Sequence, residues 1–228
     1  MADLYSLLAM TKKDLIMPAS RLALLATTLT LLALVSNSDA GKYNSTLSIG
    51  DDAPVWVSLP GVDGKDHSRS DLKSAKAIVV VFTCNSCPYA VDVEDRLIAL
   101  NEKYREQKVA LVAINVNKVE DDLLPAMKEK AKEKGFPFEY LFDETQQIAR
   151  DFGAKRTPEF FVLDQNRKVV YMGALDDSPE GRKISKRYVE DALDATLAGK
   201  AIEASETIPV GCAVRFERTR RTRRARQK

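Results

Sequence analysis

Two apolar runs, Ala77–Phe82 (AIVVVF) and Val109–Val116 (VALVAINV), stand out along the chain. Both are rich in β-branched residues and lack polar alternation, the pattern of strands buried on both faces. Between them the period changes. Ala90, Val93, Leu97, Leu100 and Tyr104 recur every three or four positions, with Asp92, Glu94, Asp95 and Arg96 in the gaps. That spacing predicts an amphipathic helix of about five turns beginning at Pro88. Strand, helix, strand implies a parallel βαβ unit with a right-handed crossover.

The flanks carry the same alternation of periods. Upstream, Val55 and Val57 alternate with Trp56 and Ser58, and Gly61 and Asp63-Gly64 supply turn chemistry. This predicts a β-hairpin. Downstream, a second helix is expected from about Asp121 to Lys134, with acids at its start, lysines at its end and Gly135 as its stop. FEYLF reads as a short strand, Asp143 as a cap for a helix ending at Gly153, and EFFVLD with KVVYMG as a hairpin around QNRK. A last helix over 184–197 packs Ile184, Tyr188, Ala192 and Ala195. The predicted class is α/β: a mixed central sheet with helices on both faces and an N-terminal β-hairpin extension.

The ends alter this picture. Arg21 precedes fourteen uncharged residues, LALLATTLTLLALV, and then SNSDA, where Ser38 and Ala40 suit a small-x-small cleavage site. Residues 1–40 therefore read as an export signal, with Met17 as an alternative start. An uncleaved anchor is the competing reading, although the apolar run falls short of the ~20 residues that a span prefers. The folded domain is expected over 41–210, followed by a basic tail over 211–228 that is low in complexity and disordered. Its last fourteen residues hold eight Arg or Lys and one Glu, whereas the whole chain carries only +2, so the body is acidic. Without interleaved aromatics the arginines do not indicate specific nucleic-acid recognition. Weak adsorption to anionic surfaces is what they suit.

Export, in turn, changes the reading of the three cysteines, Cys84, Cys87 and Cys212. Cys84 follows a buried strand just where the helix begins, at the sheet edge where chemistry collects in open α/β folds. Unpaired N–H groups and the positive helix end favour a thiolate there. Cβ atoms at i and i+3 on a helix lie roughly 5–6 Å apart, against the roughly 3.5–4.5 Å of a relaxed disulfide. A Cys84–Cys87 bond would close with slight strain and reopen readily. A permanent staple is the alternative, but so short a loop removes little chain entropy. Metal binding is a third reading. Two cysteines make half a tetrahedral site, and the one histidine, His67, lies in a turn-rich segment. No metal and no cofactor beyond a redox disulfide is expected.

TCNSCPY after a buried strand, with RTPEFFVLD downstream at 156–164, resembles the thioredoxin-like superfamily. The stretch from Ala53 to Phe82 resembles its AhpC/TSA-type redoxin and TlpA-like exported branches, and IPVGCAVRFE resembles the ending of a redoxin subgroup. The resemblance covers about residues 47–200. It implies a thioredoxin-like fold, with Thr157–Pro158 as a cis pair whose backbone holds a substrate chain beside Cys84.

The resemblance further implies an exported, periplasmic or secreted thiol–disulfide oxidoreductase. Its partners would be protein disulfides or dithiols and a membrane-fed thiol electron donor. Cys84 would attack and Cys87 resolve. Three departures qualify this. Asn85-Ser86 replaces Gly-Pro between the cysteines. Ile78 stands where thioredoxins place a buried acid, leaving Glu159 as candidate proton partner or as a surface strand residue. The P-x-x-x-[TS]-x-x-C pattern of peroxiredoxins is absent, since Ala77 and Val81 occupy its positions. A thiol peroxidase using Cys84 and a non-catalytic binding module remain the alternatives. Cys212 reads equally as a third redox cysteine and as a leftover thiol.

Overall fold

A computed structural model of the chain describes residues 41–217. Residues 1–40, expected to be an export leader, and the basic end from 218 onward lie outside the described residues. The chain opens with a short hairpin, β1 (Leu59–Pro60) and β2 (Asp66–His67). The βαβ unit follows: β3 (Ala77–Thr83), α1 (Pro88–Tyr104) and β4 (Val109–Asn115). Next come α2 (Leu124–Lys134), β5 (Glu139–Phe142), α3 (Gln147–Phe152), β6 (Arg156–Thr157), β7 (Glu159–Leu163), β8 (Val169–Gly173), α4 (Tyr188–Leu197) and β9 (Cys212–Ala213).

The main sheet runs β5-β4-β3-β7-β8. β3 is parallel to β4, and β4 to β5, while β7 is antiparallel to both β3 and β8. Every residue of β3 is buried, because its alternate side chains serve two cores. Ala77, Val79 and Val81 meet Val93, Leu97 and Leu100 of α1 and Val189 and Leu193 of α4. Ile78, Val80 and Phe82 meet Ile148 and Phe152 of α3, Phe161 of β7 and Trp56. Helices thus cover both faces, as the apolar run of β3 requires.

Four details depart from expectation, each for a local reason. Trp56 is buried and Val55 and Val57 are exposed, as alternation predicts, but this stretch pairs with no strand. Pairing is confined to Leu59↔His67 and Pro60↔Asp66, and Pro60 has no N–H to extend it. The second helix begins at Leu124, not Asp121. Glu120–Asp122 forms a separate 3-10 turn, and Leu123 is extended between the two. The last helix begins at Tyr188, because the Asp177 carboxylate accepts hydrogen bonds from the N–H groups of Ser185 and Lys186 and holds them in a loop. Its buried face is Val189, Ala192 and Leu193, not the stripe through Ala195.

The fourth departure bears on function. Disorder was expected from residue 211, but residues 211–217 pack onto the domain. β9 pairs antiparallel with β6. Val214 is buried and its N–H donates to the Lys155 carbonyl. Gln146 binds the segment from both sides: its amide nitrogen donates to the Arg215 carbonyl (3.0 Å), and its oxygen accepts the Glu217 N–H (2.8 Å). The Phe216 ring lies 4.3 Å from the Arg150 guanidinium. Arginine density had suggested disorder. The apolar residues interleaved with it, Val214 and Phe216, decide otherwise.

The ring cluster of Phe82, Phe152 and Phe161 has centroids 5.0–5.8 Å apart and closes the α3 face of the sheet. Phe161→Ala should cost about 3–5 kcal/mol, read as a lowered denaturant midpoint with unchanged slope.

Candidate active site

β3 ends at Thr83, Cys84 follows, and Cys87 is the N-cap residue of α1 with Pro88 in the first turn. Pro88 loses nothing there, because the first N–H groups of a helix have no intrahelical partner. The Cys87 carbonyl accepts the N–H groups of Ala90 and Val91 and starts the helix. Both cysteines are 3% exposed, and all three are free thiols.

The sheet brings the second half of the site to them. Phe82 pairs with Glu159 across β3 and β7, so the Thr157–Pro158 turn just before β7 lies against the dithiol. That peptide bond is cis. Cys84 Sγ is 3.6 Å from Thr157 Oγ1, and Cys87 Sγ is 3.0 Å from the Thr157 carbonyl oxygen.

The two residues between the cysteines are held from outside. Asn85 donates to the Asp121 carbonyl (2.8 Å) and accepts from the Tyr140 hydroxyl (2.8 Å). Ser86 donates its N–H (2.8 Å) and its hydroxyl (2.6 Å) to the fully buried Asp122 carboxylate, which also accepts from Asn117 Nδ2 (3.2 Å). The 3-10 turn over 120–122 therefore stiffens the cysteine loop, in place of a proline inside it. Asp122 is the functional residue that sequence reading missed. Its neighbours Glu120 and Asp121 are also acidic, and only the break at Leu123-Leu124-Pro125 hinted that they do not cap a helix.

Glu159 occupies a different role from the one considered. It is buried, and its carboxylate accepts the N–H groups of Lys155 (2.7 Å) and Arg156 (2.9 Å). It shapes β6 and takes no hydrogen bond from either sulfur. His67 is paired with Asp63 (3.0 Å) and Glu139 (3.5 Å). Among the described residues no group of three or more His, Cys, Asp or Glu is arranged to hold a metal ion.

Cys212 joins the site. In the β6–β9 register it stands opposite Thr157, and it packs against Cys84, Cys87 and Ala90. Cys87 is the middle sulfur, hydrogen-bonded to both Cys84 and Cys212. The three thiols therefore titrate together. Hydrogen bonding from Cys84, helped by Cys212 and Thr157, pulls Cys87 down to about 4. Burial opposes this, and the Thr157 carbonyl accepts a hydrogen bond from Cys87 Sγ only while that thiol keeps its proton. Cys84 is pushed up, first by its hydrogen bond to Cys87, then by burial and the Asp122 charge. The hydrogen bond between the two sulfurs thus lowers one thiol and raises the other, and the charge it favours belongs to the pair.

A mixed α/β sheet with a dithiol at the head of its first long helix and a Thr-Pro turn against both sulfurs defines a thioredoxin-like protein. The chain belongs to the AhpC/TSA family, which matches residues 49–172. A thiol-disulfide oxidoreductase ResA of Bacillus thuringiensis (strain Al Hakam) is 28% identical over 124 residues, 54% of this chain and 68% of that protein. An uncharacterized conserved protein from Geobacillus kaustophilus superposes with a TM-score of 0.72 at 36% identity, covering 77% of this chain and 96% of its own. A hypothetical protein from Sinorhizobium meliloti 1021 superposes equally well, at 0.72 and 30% identity, over 76% and 97%.

Two outcomes test the electrostatics. Asp122→Asn removes the charge that opposes ionisation of Cys84. The upper thiol ionisation, followed by thiolate absorbance or alkylation rate against pH, should move to lower pH. An unmoved profile separates Asp122 from the dithiol. Glu159 is raised in the folded state by burial, against the two backbone hydrogen bonds. A folded pKa above the unfolded one means the unfolded chain releases this proton first. Stability therefore falls as pH rises from the unfolded value through the raised one. Glu159→Gln lacks this loss. Its stability relative to wild type should increase across that window and level off above it, as read by denaturant titrations at stepped pH.

Proposed function

We propose that this protein is an exported thiol–disulfide oxidoreductase in which Cys84 and Cys87 cycle between dithiol and disulfide on protein substrates. The observation that carries the reading is the contact of both sulfurs with Thr157 at the head of α1. Cys84 gives up its proton, and its thiolate attacks the substrate disulfide. A mixed disulfide forms and one substrate thiolate leaves. Cys87 then attacks Cys84 Sγ, the second substrate thiolate leaves, and the Cys84–Cys87 bond remains. Two electrons from an external dithiol reset the pair.

Pro158 docks the substrate backbone. Tyr89, Pro158 and Val210 line a narrow groove beside it, and Tyr89 and Val210 are exposed apolar residues on the rim. An extended peptide with apolar side chains fits such a rim. The leader over 1–40 directs the protein to the periplasm or the exterior, where a membrane-fed thiol donor supplies electrons. Among the described residues no helix is long and apolar enough to cross a membrane. The basic end adsorbs weakly to anionic surfaces.

Insulin reduction with a regenerating reductant tests the proposal. Wild type should accelerate it, Cys84→Ser should lose at least about 100-fold, in line with removal of a covalent nucleophile, and Cys87→Ser should accumulate the mixed disulfide. An inactive wild type or a fully active Cys84→Ser removes the reading. Peroxide consumption that depends on Cys84 would favour a thiol peroxidase.

A further inference from the structure

We infer that Cys212 is the third member of the redox site and receives the disulfide from Cys84–Cys87, so that the oxidised protein holds a Cys87–Cys212 bond and a free Cys84. The inference rests on the redox cycle proposed above and adds a second stage to it.

The geometry is specific. Directly opposed residues of an antiparallel pair point their side chains to the same face, with Cβ atoms about 4.5–5.5 Å apart. Thr157 is such a partner of Cys212, and the Thr157 hydroxyl faces Cys84 Sγ. Cys212 is therefore aimed into the dithiol. Its position is held from both sides. A Cβ at Gly211 would run into the Thr157 carbonyl oxygen, so only glycine permits this approach. After it, the Arg215 N–H donates to Asn117 Oδ1 (3.0 Å), and Asn117 itself binds Asp122, the acid that holds the cysteine loop. A leftover thiol would not need this register, and Cys212 meets the one sulfur, Cys87, that both neighbours share.

The electrostatics supply a direction. In the reduced protein Cys212 is pushed up to about 11, mainly by its hydrogen bond to Cys87, with burial and the charge of Cys87 adding to the rise. Arg215 and Arg156 pull the other way. Once Cys87 is bonded to Cys84, its thiolate is gone, and with it two of the three causes of the rise. The arginines remain. Cys212 becomes a better nucleophile when there is a disulfide to attack.

The step balances without an added oxidant. Cys212 gives up its proton and its thiolate attacks Cys87 Sγ. The Cys84–Cys87 bond breaks, Cys87–Cys212 forms, and Cys84 leaves as a thiolate that takes up a proton. Cys84 is freed to meet a further substrate while the oxidising equivalents wait on Cys87–Cys212. Cys212 is half-buried whereas Cys84 is 3% exposed. The new bond therefore presents its more accessible sulfur to an external dithiol, which returns the two electrons.

The test maps the bonds in the full chain. Reduced protein, freed of reductant, receives one equivalent of diamide, is quenched in acid with N-ethylmaleimide and is digested for peptide mass spectrometry. Wild type should divide into a form alkylated only on Cys212 and a form alkylated only on Cys84, the latter at least about a tenth of the total. Cys84→Ser should take up no maleimide and yield the Cys87–Cys212 cross-linked peptide from monomer. Cys212→Ser should show no alkylated Cys84 after oxidation. Wild type alkylated solely on Cys212, together with two alkylated cysteines in Cys84→Ser, overturns the inference while leaving the Cys84–Cys87 cycle intact. Wild type with neither a Cys84–Cys87 nor a Cys87–Cys212 bond in any fraction sinks the proposed function instead.

Discussion

A strand with no solvent-facing side is the constraint from which the rest of this structure follows. β3 has to satisfy one core with its odd residues and another with its even ones. It therefore occupies the middle of the sheet, with β4 on one side and β7 on the other. Once it is there, its C-terminal end delivers Cys84 to the head of α1, and its pairing with β7 delivers Thr157 to the same point. Hydrophobic burial thus positions two pieces of chemistry that lie 73 residues apart in the chain. About 1.5–3 kcal/mol per buried large apolar side chain stands behind that arrangement, well beyond what hydrogen bonds to sulfur supply.

The polar part of the site has a different logic. Asp122 is a buried carboxylate, which is costly unless its lone pairs are filled. Ser86 and Asn117 fill them. The same bonds stiffen the loop between the cysteines and tie it to the C-terminal segment through the Arg215 N–H. A network of this kind acts as a unit. Its negative charge adds to the hydrogen bond to Cys87 and to burial in pushing the Cys84 thiol up.

Backbone hydrogen bonds, more than apolar contact, hold the C-terminal segment against the domain. Residues 211–217 bring little apolar surface of their own, chiefly Val214 and Phe216. They are held by backbone groups meeting β6, Gln146 and Asn117. Gln146 adopts a left-handed backbone conformation, φ 60°, at the entry to α3 while binding both Val116 and Arg215. A residue spends conformational energy in that region only when its surroundings hold it there, and here those surroundings include the segment that carries Cys212.

Much of this was legible in the sequence. The apolar runs of β3 and β4, the period of α1, the stop at Gly135 and the cysteine pair with its downstream Thr-Pro are local patterns, because strand and helix periods are written in consecutive residues. They determined the class of fold and both halves of the site. Tertiary structure decided what depends on residues distant in the chain. It placed Asp122 rather than Glu159 beside the cysteine loop, a choice that depends on which acid the folded chain brings to Ser86. It brought a third sulfur, Cys212 of β9, against the pair. It brought residues 211–217 into the domain, because their partners lie on β6 and before α3, and no local pattern records a pairing across more than fifty residues.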